Sequence, residues 1–107
     1  MDTDVAIIGA GPAGLALACA LEGSGHAVTL FERAPTHALA EPAFDGREIA
    51  LTHRSQAILS RLGAWGRIPA AETAPLREAQ VFNGGSPLAL RFAPGEGAEP
   101  LGRLVPN

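Results

Sequence analysis

Residues 4–33 read DVAIIGAGPAGLALACALEGSGHAVTLFER, and their order decides the fold. Val5-Ala6-Ile7-Ile8 is a short apolar run without polar alternation, the pattern of a parallel strand covered on both faces. Gly9-Ala10-Gly11-Pro12-Ala13-Gly14 follows directly and opens a second apolar run, Leu15 to Leu21. Gly23-Ser24-Gly25 stops that run, and Ala27-Val28-Thr29-Leu30-Phe31 begins a second strand that ends at Glu32. Strand, glycine turn, helix and strand make a βαβ unit, so the expected class is α/β.

Each part of the unit has a physical job. Gly9 permits the tight turn out of the strand, and Gly11 has no Cβ to keep a diphosphate from the backbone. Gly14 allows close packing of the helix on the sheet. Pro12 and Ala13 begin the helix, where a missing N–H costs nothing and the remaining free N–H groups face the phosphates. Glu32, at the end of the second strand, suits hydrogen bonds from ribose hydroxyls. The match continues in register through Ala18, Gly25, Val28 and Glu32-Arg33, well beyond a chance glycine turn. A Rossmann-like, dinucleotide-binding fold is expected.

Composition bounds the rest. A chain of 107 residues makes at most one domain, and 47% hydrophobic with 18% charged residues is ordinary for a globular protein. A net charge of −3 leaves no electrostatic footprint for nucleic acid, which is not expected as a partner. The acidic start, Met1-Asp2-Thr3-Asp4, has no signal-peptide pattern, and no apolar run approaches the roughly 20 residues that span a bilayer. A cytoplasmic location is expected. The single cysteine, Cys19, lies mid-helix among alanines and leucines and reads as a small buried hydrophobe. His26, His37 and His53 have no metal-ligand spacing and read as surface polar residues, so no metal site is expected. No Ser-His-Asp or Cys-His arrangement can be assembled, and no catalytic residue is named.

Residues 34–46, APTHALAEPAFDG, have no apolar period and read as a loop reaching over the ligand crevice. Asp45-Gly46-Arg47 is a turn followed by an arginine that either lies against a diphosphate or is simply solvated. Thr52 caps a helix from about His53 to Leu62, ended by Gly63. Ile58, Leu59, Leu62 and Trp65 share its inner face, with Trp65 as a core anchor, and Ser55 and Gln56 in the first turn face either a bound ligand or, as the ordinary expectation, solvent. Pro69 to Pro75 reads as a linker. Leu76–Phe82 and Leu88–Phe92 flank Asn83-Gly84-Gly85-Ser86, a strong hairpin signal, and Leu101–Val105 is a further strand.

The expected organisation is a dinucleotide-binding segment, 1–75, an antiparallel hairpin beginning a second domain, 76–92, and a return to the first domain, 93–107. One βαβ unit leaves strand edges and a sheet face uncovered. Val105-Pro106-Asn107 ends on a helix-start signal. The chain is therefore expected to be the N-terminal fragment of a longer protein.

With these residues in view, the chain resembles the N-terminal part of the class A flavin monooxygenases, the para-hydroxybenzoate-hydroxylase-like group. DVAIIGAGPAGLALACAL and GHAVTLFER are shared by many FAD enzymes. DGREIALTHRSQAILSRLGAWGRI at 45–68 is more specific and is similar to the ubiquinone-biosynthesis hydroxylases. The resemblance implies that Gly9, Gly11, Pro12, Ala13 and Gly14 bind the ADP half of FAD, with Glu32 on the ribose and Arg33 beside the adenosine. It implies a diphosphate contact for Arg47 and a polar FAD contact for Arg103.

It also implies an enzyme in which NAD(P)H reduces FAD and O₂ then hydroxylates an aromatic small molecule, here a ubiquinone precursor. A quinone-biosynthesis complex peripheral to the inner membrane would be its setting. Other FAD enzymes share the βαβ unit, among them halogenases and geranylgeranyl-reductase-type enzymes. The absence of any lysine counts against the lysine-bearing halogenases. A non-catalytic nucleotide-binding module is the reading from a different class.

Overall fold

The computed structural model describes residues 2–107 and shows a mixed α/β chain. Two compact units divide it after Phe44, inside the segment expected to be one domain. In the first unit, β1 (Val5–Ile8) pairs in parallel with β2 (Val28–Phe31), Val5 opposite Val28 and Ile8 opposite Phe31. The crossover is α1 (Pro12–Ala20). Asp4 fastens the start of the pair: its N–H donates to the Ala27 carbonyl at 2.9 Å, and its Oδ2 accepts the Ala27 N–H at 2.8 Å.

The uniform run in β1 predicts cover on both faces, and the structure covers one. Ile7 is only 6% exposed, whereas Ile8, pointing the other way, is 82% exposed. Successive side chains alternate across a strand, and α1 shields one side of this pair. Helix α1 is apolar all round and leaves Leu15, Leu17 and Cys19 exposed. The expected burial of Cys19 is thus overturned, because the first unit has too few elements to bury any residue of α1.

The segment 34–46 also differs from the expected loop, since Thr36–Ala40 forms the short helix α2. Pro35 supplies a preset backbone angle ahead of it, and its carbonyl accepts the Ala38 N–H at 2.9 Å. The remaining residues to Phe44 are irregular.

The second unit is built on an antiparallel sheet of three strands, β3 (Glu48–Thr52), β7 (Gly102–Pro106) and β4 (Ala74–Leu76), with β7 in the middle. Arg103 stands opposite Leu51 on one side and Pro75 on the other. Val105, 9% exposed, is the buried apolar residue of this unit. A Cβ on Gly102 would overlap the Leu51 carbonyl, so the close pairing of β7 with β3 depends on that glycine.

Helix α3 (His53–Arg61) begins where β3 stops. Thr52 Oγ1 accepts the Ser55 N–H at 3.2 Å, the N-cap read from the sequence. Leu59, Leu62 and Trp65 are half-buried, the last in a 3₁₀ turn, Trp65–Arg67. Ser55 and Gln56 are also half-buried rather than solvent-facing, and Gln56 Nε2 donates back to the Leu51 carbonyl at 3.4 Å.

The hairpin of β5 (Ala79–Phe82) and β6 (Ala89–Phe92) turns through Asn83–Ser86, with Ser86 N–H on the Asn83 carbonyl at 3.1 Å and Gly84 at φ +53°. The strand expected over 76–82 is two strands, broken at Arg77-Glu78. Its halves have different partners: the Leu76 carbonyl accepts from Leu101, while Glu78 is bound by Gln80 and by Arg91 at 2.6 Å. The expected linker 69–75 contains a 3₁₀ turn at Ala70–Glu72 and the first two residues of β4.

Candidate functional site

The glycine turn between β1 and α1 is closed from three directions. Gly9 donates to the Phe31 carbonyl at 2.8 Å, which ties the turn to the end of β2. Its φ of +99° is a conformation that side-chain-bearing residues rarely adopt. A Cβ on Gly14 would overlap the Gly9 carbonyl oxygen and reach 3.3 Å from Ile7 Cγ2. Gly14 therefore lets the first turn of α1 lie directly on the loop and the strand.

Gly11 is different. A Cβ there would meet nothing within 4 Å. Folding does not demand glycine at this position, and the open space lies at the N-cap of α1. The first N–H groups of a helix have no partner within it, and its dipole favours an anion there. Pro12 occupies the first helical position, as expected.

Glu32 completes the turn. Its Oε2 accepts the N–H of Ala10 at 2.7 Å and its Oε1 accepts the N–H of Ala34 at 2.7 Å. These bonds, with Ala34 the larger cause, hold its carboxyl below the usual range, so it is an anion at neutral pH. Each oxygen keeps acceptor capacity for a further donor, and the side chain is exposed. Arg33, next to it, is exposed too. A cradle free of Cβ at Gly11, free helix N–H groups and a carboxylate that accepts hydroxyl donors fit an adenine dinucleotide. The first unit brings Gly9, Gly11, Pro12, Ala13, Gly14 and Glu32 together.

Arg47 and Arg103 belong to the second unit. Asp45 Oδ2 lies 2.7 Å from both Nε and Nη2 of Arg47, and Oδ1 accepts the Arg47 N–H at 2.8 Å. Asn107 joins them: its Nδ2 donates to Asp45 Oδ2 at 3.0 Å and its N–H donates to the Arg47 carbonyl at 3.0 Å. The Arg47 guanidinium pulls the Asp45 carboxyl down to about 2, and Asp45 in turn raises Arg47. Arg103 Nη1 donates to Thr73 Oγ1 at 3.4 Å. It lines a cleft of about 330 Å³ with His53, Gln56, Glu99, Pro100 and Gly102.

The sequence points to Gln56 and Arg103 one at a time and does not show that they share a cleft. His53 reads as a surface histidine and is exposed, yet its Nε2 donates to the Pro100 carbonyl at 2.7 Å. Only the register of β7 on β3 brings residues so distant in the chain together. Among the described residues, no helix is long and apolar enough to cross a membrane.

Comparison with known proteins matches residues 2–99 to the FAD binding domain family. The ubiquinone hydroxylase UbiM of Neisseria meningitidis serogroup C is 51% identical over 112 residues, covering all of this chain. The ubiquinone hydroxylase UbiL of Rhodospirillum rubrum is 36% identical over 104 residues, covering 97% of the chain. The mitochondrial ubiquinone biosynthesis monooxygenase COQ6 of Xenopus tropicalis is 34% identical over 111 residues, again 97% of the chain. The chain spans 24% of the length of each of these three.

Proposed function

We propose, for a chain that belongs to the FAD binding domain family, that it forms the ADP-binding part of an FAD-dependent hydroxylase acting on an aromatic ubiquinone precursor. Similarity to three proteins named for ubiquinone hydroxylation or biosynthesis supports the reaction class. The observation that carries the cofactor is the glycine turn closed by Glu32, whose free acceptor sites and open Gly11 suit ribose and diphosphate. The βαβ unit is the first part of a Rossmann-like domain.

The proposed roles follow the geometry. Backbone N–H groups at Gly11, Ala13 and Gly14 receive the diphosphate, with Gly9 and Pro12 shaping their turn. Glu32 accepts the ribose hydroxyls, and Arg33 lies beside the adenosine. Arg47 donates to the diphosphate, and Arg103 supplies a further polar contact. FAD, when bound, supplies the redox chemistry, with NAD(P)H as donor and O₂ as oxidant. The chain's own share is to bind and orient the cofactor. In the proposed domain plan, 1–75 and 93–107 belong to the FAD-binding domain and 76–92 starts the substrate domain. The proposed setting is the cytoplasmic side of the inner membrane, in a peripheral quinone-biosynthesis complex.

The test is purification of the protein as its gene encodes it, followed by FAD titration and NAD(P)H oxidation with phenolic quinone precursors. Stoichiometric FAD with substrate-dependent oxidation is expected. Failure to bind FAD would sink the cofactor assignment, and FAD binding without any such oxidation would sink the hydroxylase.

A further inference from the structure

Arg47 is a long side chain, 73% exposed, immediately before β3. A free arginine there would lose rotamer freedom on meeting a ligand. The structure has already fixed it. One carboxylate, that of Asp45, holds both the backbone and the side chain of the same residue: Oδ1 takes the Arg47 N–H, and Oδ2 sits in the fork of Nε and Nη2. Asn107 braces this arrangement from the end of β7, through Asp45 Oδ2 and the Arg47 carbonyl.

A guanidinium has five N–H donors in a planar fork. Asp45 occupies the Nε–Nη2 edge, so the Nη1–Nη2 edge remains whole for a second pair of oxygens. We propose that Asp45 is the positioning residue of Arg47, holding its guanidinium by the Nε–Nη2 edge and leaving the Nη1–Nη2 edge open to the paired oxygens of the cofactor diphosphate. This inference rests on the reading of Arg47 as a diphosphate ligand. It has a sharp opposite, because a carboxylate that merely cancelled the arginine's charge would weaken anion binding, and its removal would tighten it.

A double-mutant cycle on FAD affinity, followed by flavin fluorescence in the protein as its gene encodes it, separates these cases. Asp45→Ala is expected to raise the FAD Kd on the order of tenfold, as for loss of a charge-assisted contact. On the Arg47→Ala background the same change is expected to alter Kd by less than about twofold, since Asp45 acts through Arg47. Asp45→Glu, which keeps the charge, is expected to recover part of the loss. Unchanged or tighter binding in Asp45→Ala would overturn the inference, as would an equal loss on both backgrounds, which marks a merely structural effect. Unaltered FAD affinity in Arg47→Ala alone would overturn the diphosphate reading beneath it.

Discussion

Glu32 and Ala10 are locked together across the mouth of the glycine turn, the carboxylate accepting the backbone N–H at 2.7 Å. Ala10 is 3% exposed, so its N–H has no access to water. The residue proposed to hold the ribose thus also satisfies the turn proposed to receive the diphosphate.

Glu32→Ala removes the acceptor of two backbone N–H groups as well as the proposed ribose ligand. The FAD Kd is expected to rise tenfold or more, by roughly the worth of one charge-assisted hydrogen bond. Glu32→Gln keeps one acceptor but turns an NH₂ toward the other N–H, and is expected to fall between wild type and alanine. Titration of the apo-protein with FAD checks both. Full affinity in Glu32→Ala would remove Glu32 from the site.

Gly11 and Gly14 should respond in opposite ways. Gly14→Ala places a Cβ on the Gly9 carbonyl, and the backbone must shift, at a cost of about 1–3 kcal/mol. Thermal denaturation of the apo-protein should show a lower Tm. Gly11→Ala meets no atom of the chain, so the apo Tm should be unchanged while FAD affinity falls. A Tm loss in Gly11→Ala would show that folding, rather than ligand access, requires that glycine.

The Asp45 carboxyl has a folded pKa of about 2, against an ordinary value of 3.8. A depressed carboxyl contributes stability that is fully present above the ordinary value and lost as pH falls through the folded one. The pairing with Arg47 is therefore expected to persist on acidification past 3.8 and to fail near 2. An NMR titration of the Asp45 side chain should place its midpoint there, and Arg47→Ala should move it back toward 3.8. A midpoint near 3.8 in the wild type would disprove the pairing in solution.

Thr52→Ala removes the cap of α3 and leaves the Ser55 N–H without its acceptor. A loss of about 1 kcal/mol is expected. Thr52→Ser should recover most of it in the same denaturation experiment.

Local signals were legible in the sequence and distant ones were not. Gly9, Gly14, Thr52 and Asn83-Gly84 each act within a few residues of themselves, and the structure uses each in the way its chemistry predicts. Arg47 was visible as an arginine after a turn. Its fixing by Asn107 was not, because that bond exists only through the pairing of β7 with β3. The same register creates the cleft of His53, Gln56 and Arg103. Cys19 is exposed although an apolar helix implies cover, because this unit buries no residue of α1. The break at Arg77-Glu78 carries no local mark, because neither residue is a turn former and the residues on either side of it pair in different sheets.

The middle strand of the second unit's sheet is the last of its strands to be synthesised. β3 and β4 have no partner in this sheet until Gly102–Pro106 leaves the ribosome, since each pairs with β7 and not with the other. The βαβ unit, by contrast, joins neighbours in sequence and can close early. During translation the glycine turn is thus expected to form while the sheet that follows Arg47 is still open. That interval leaves β3 and β4 as unpaired edges, and makes it the step at which a nascent chain is most exposed to wrong partners.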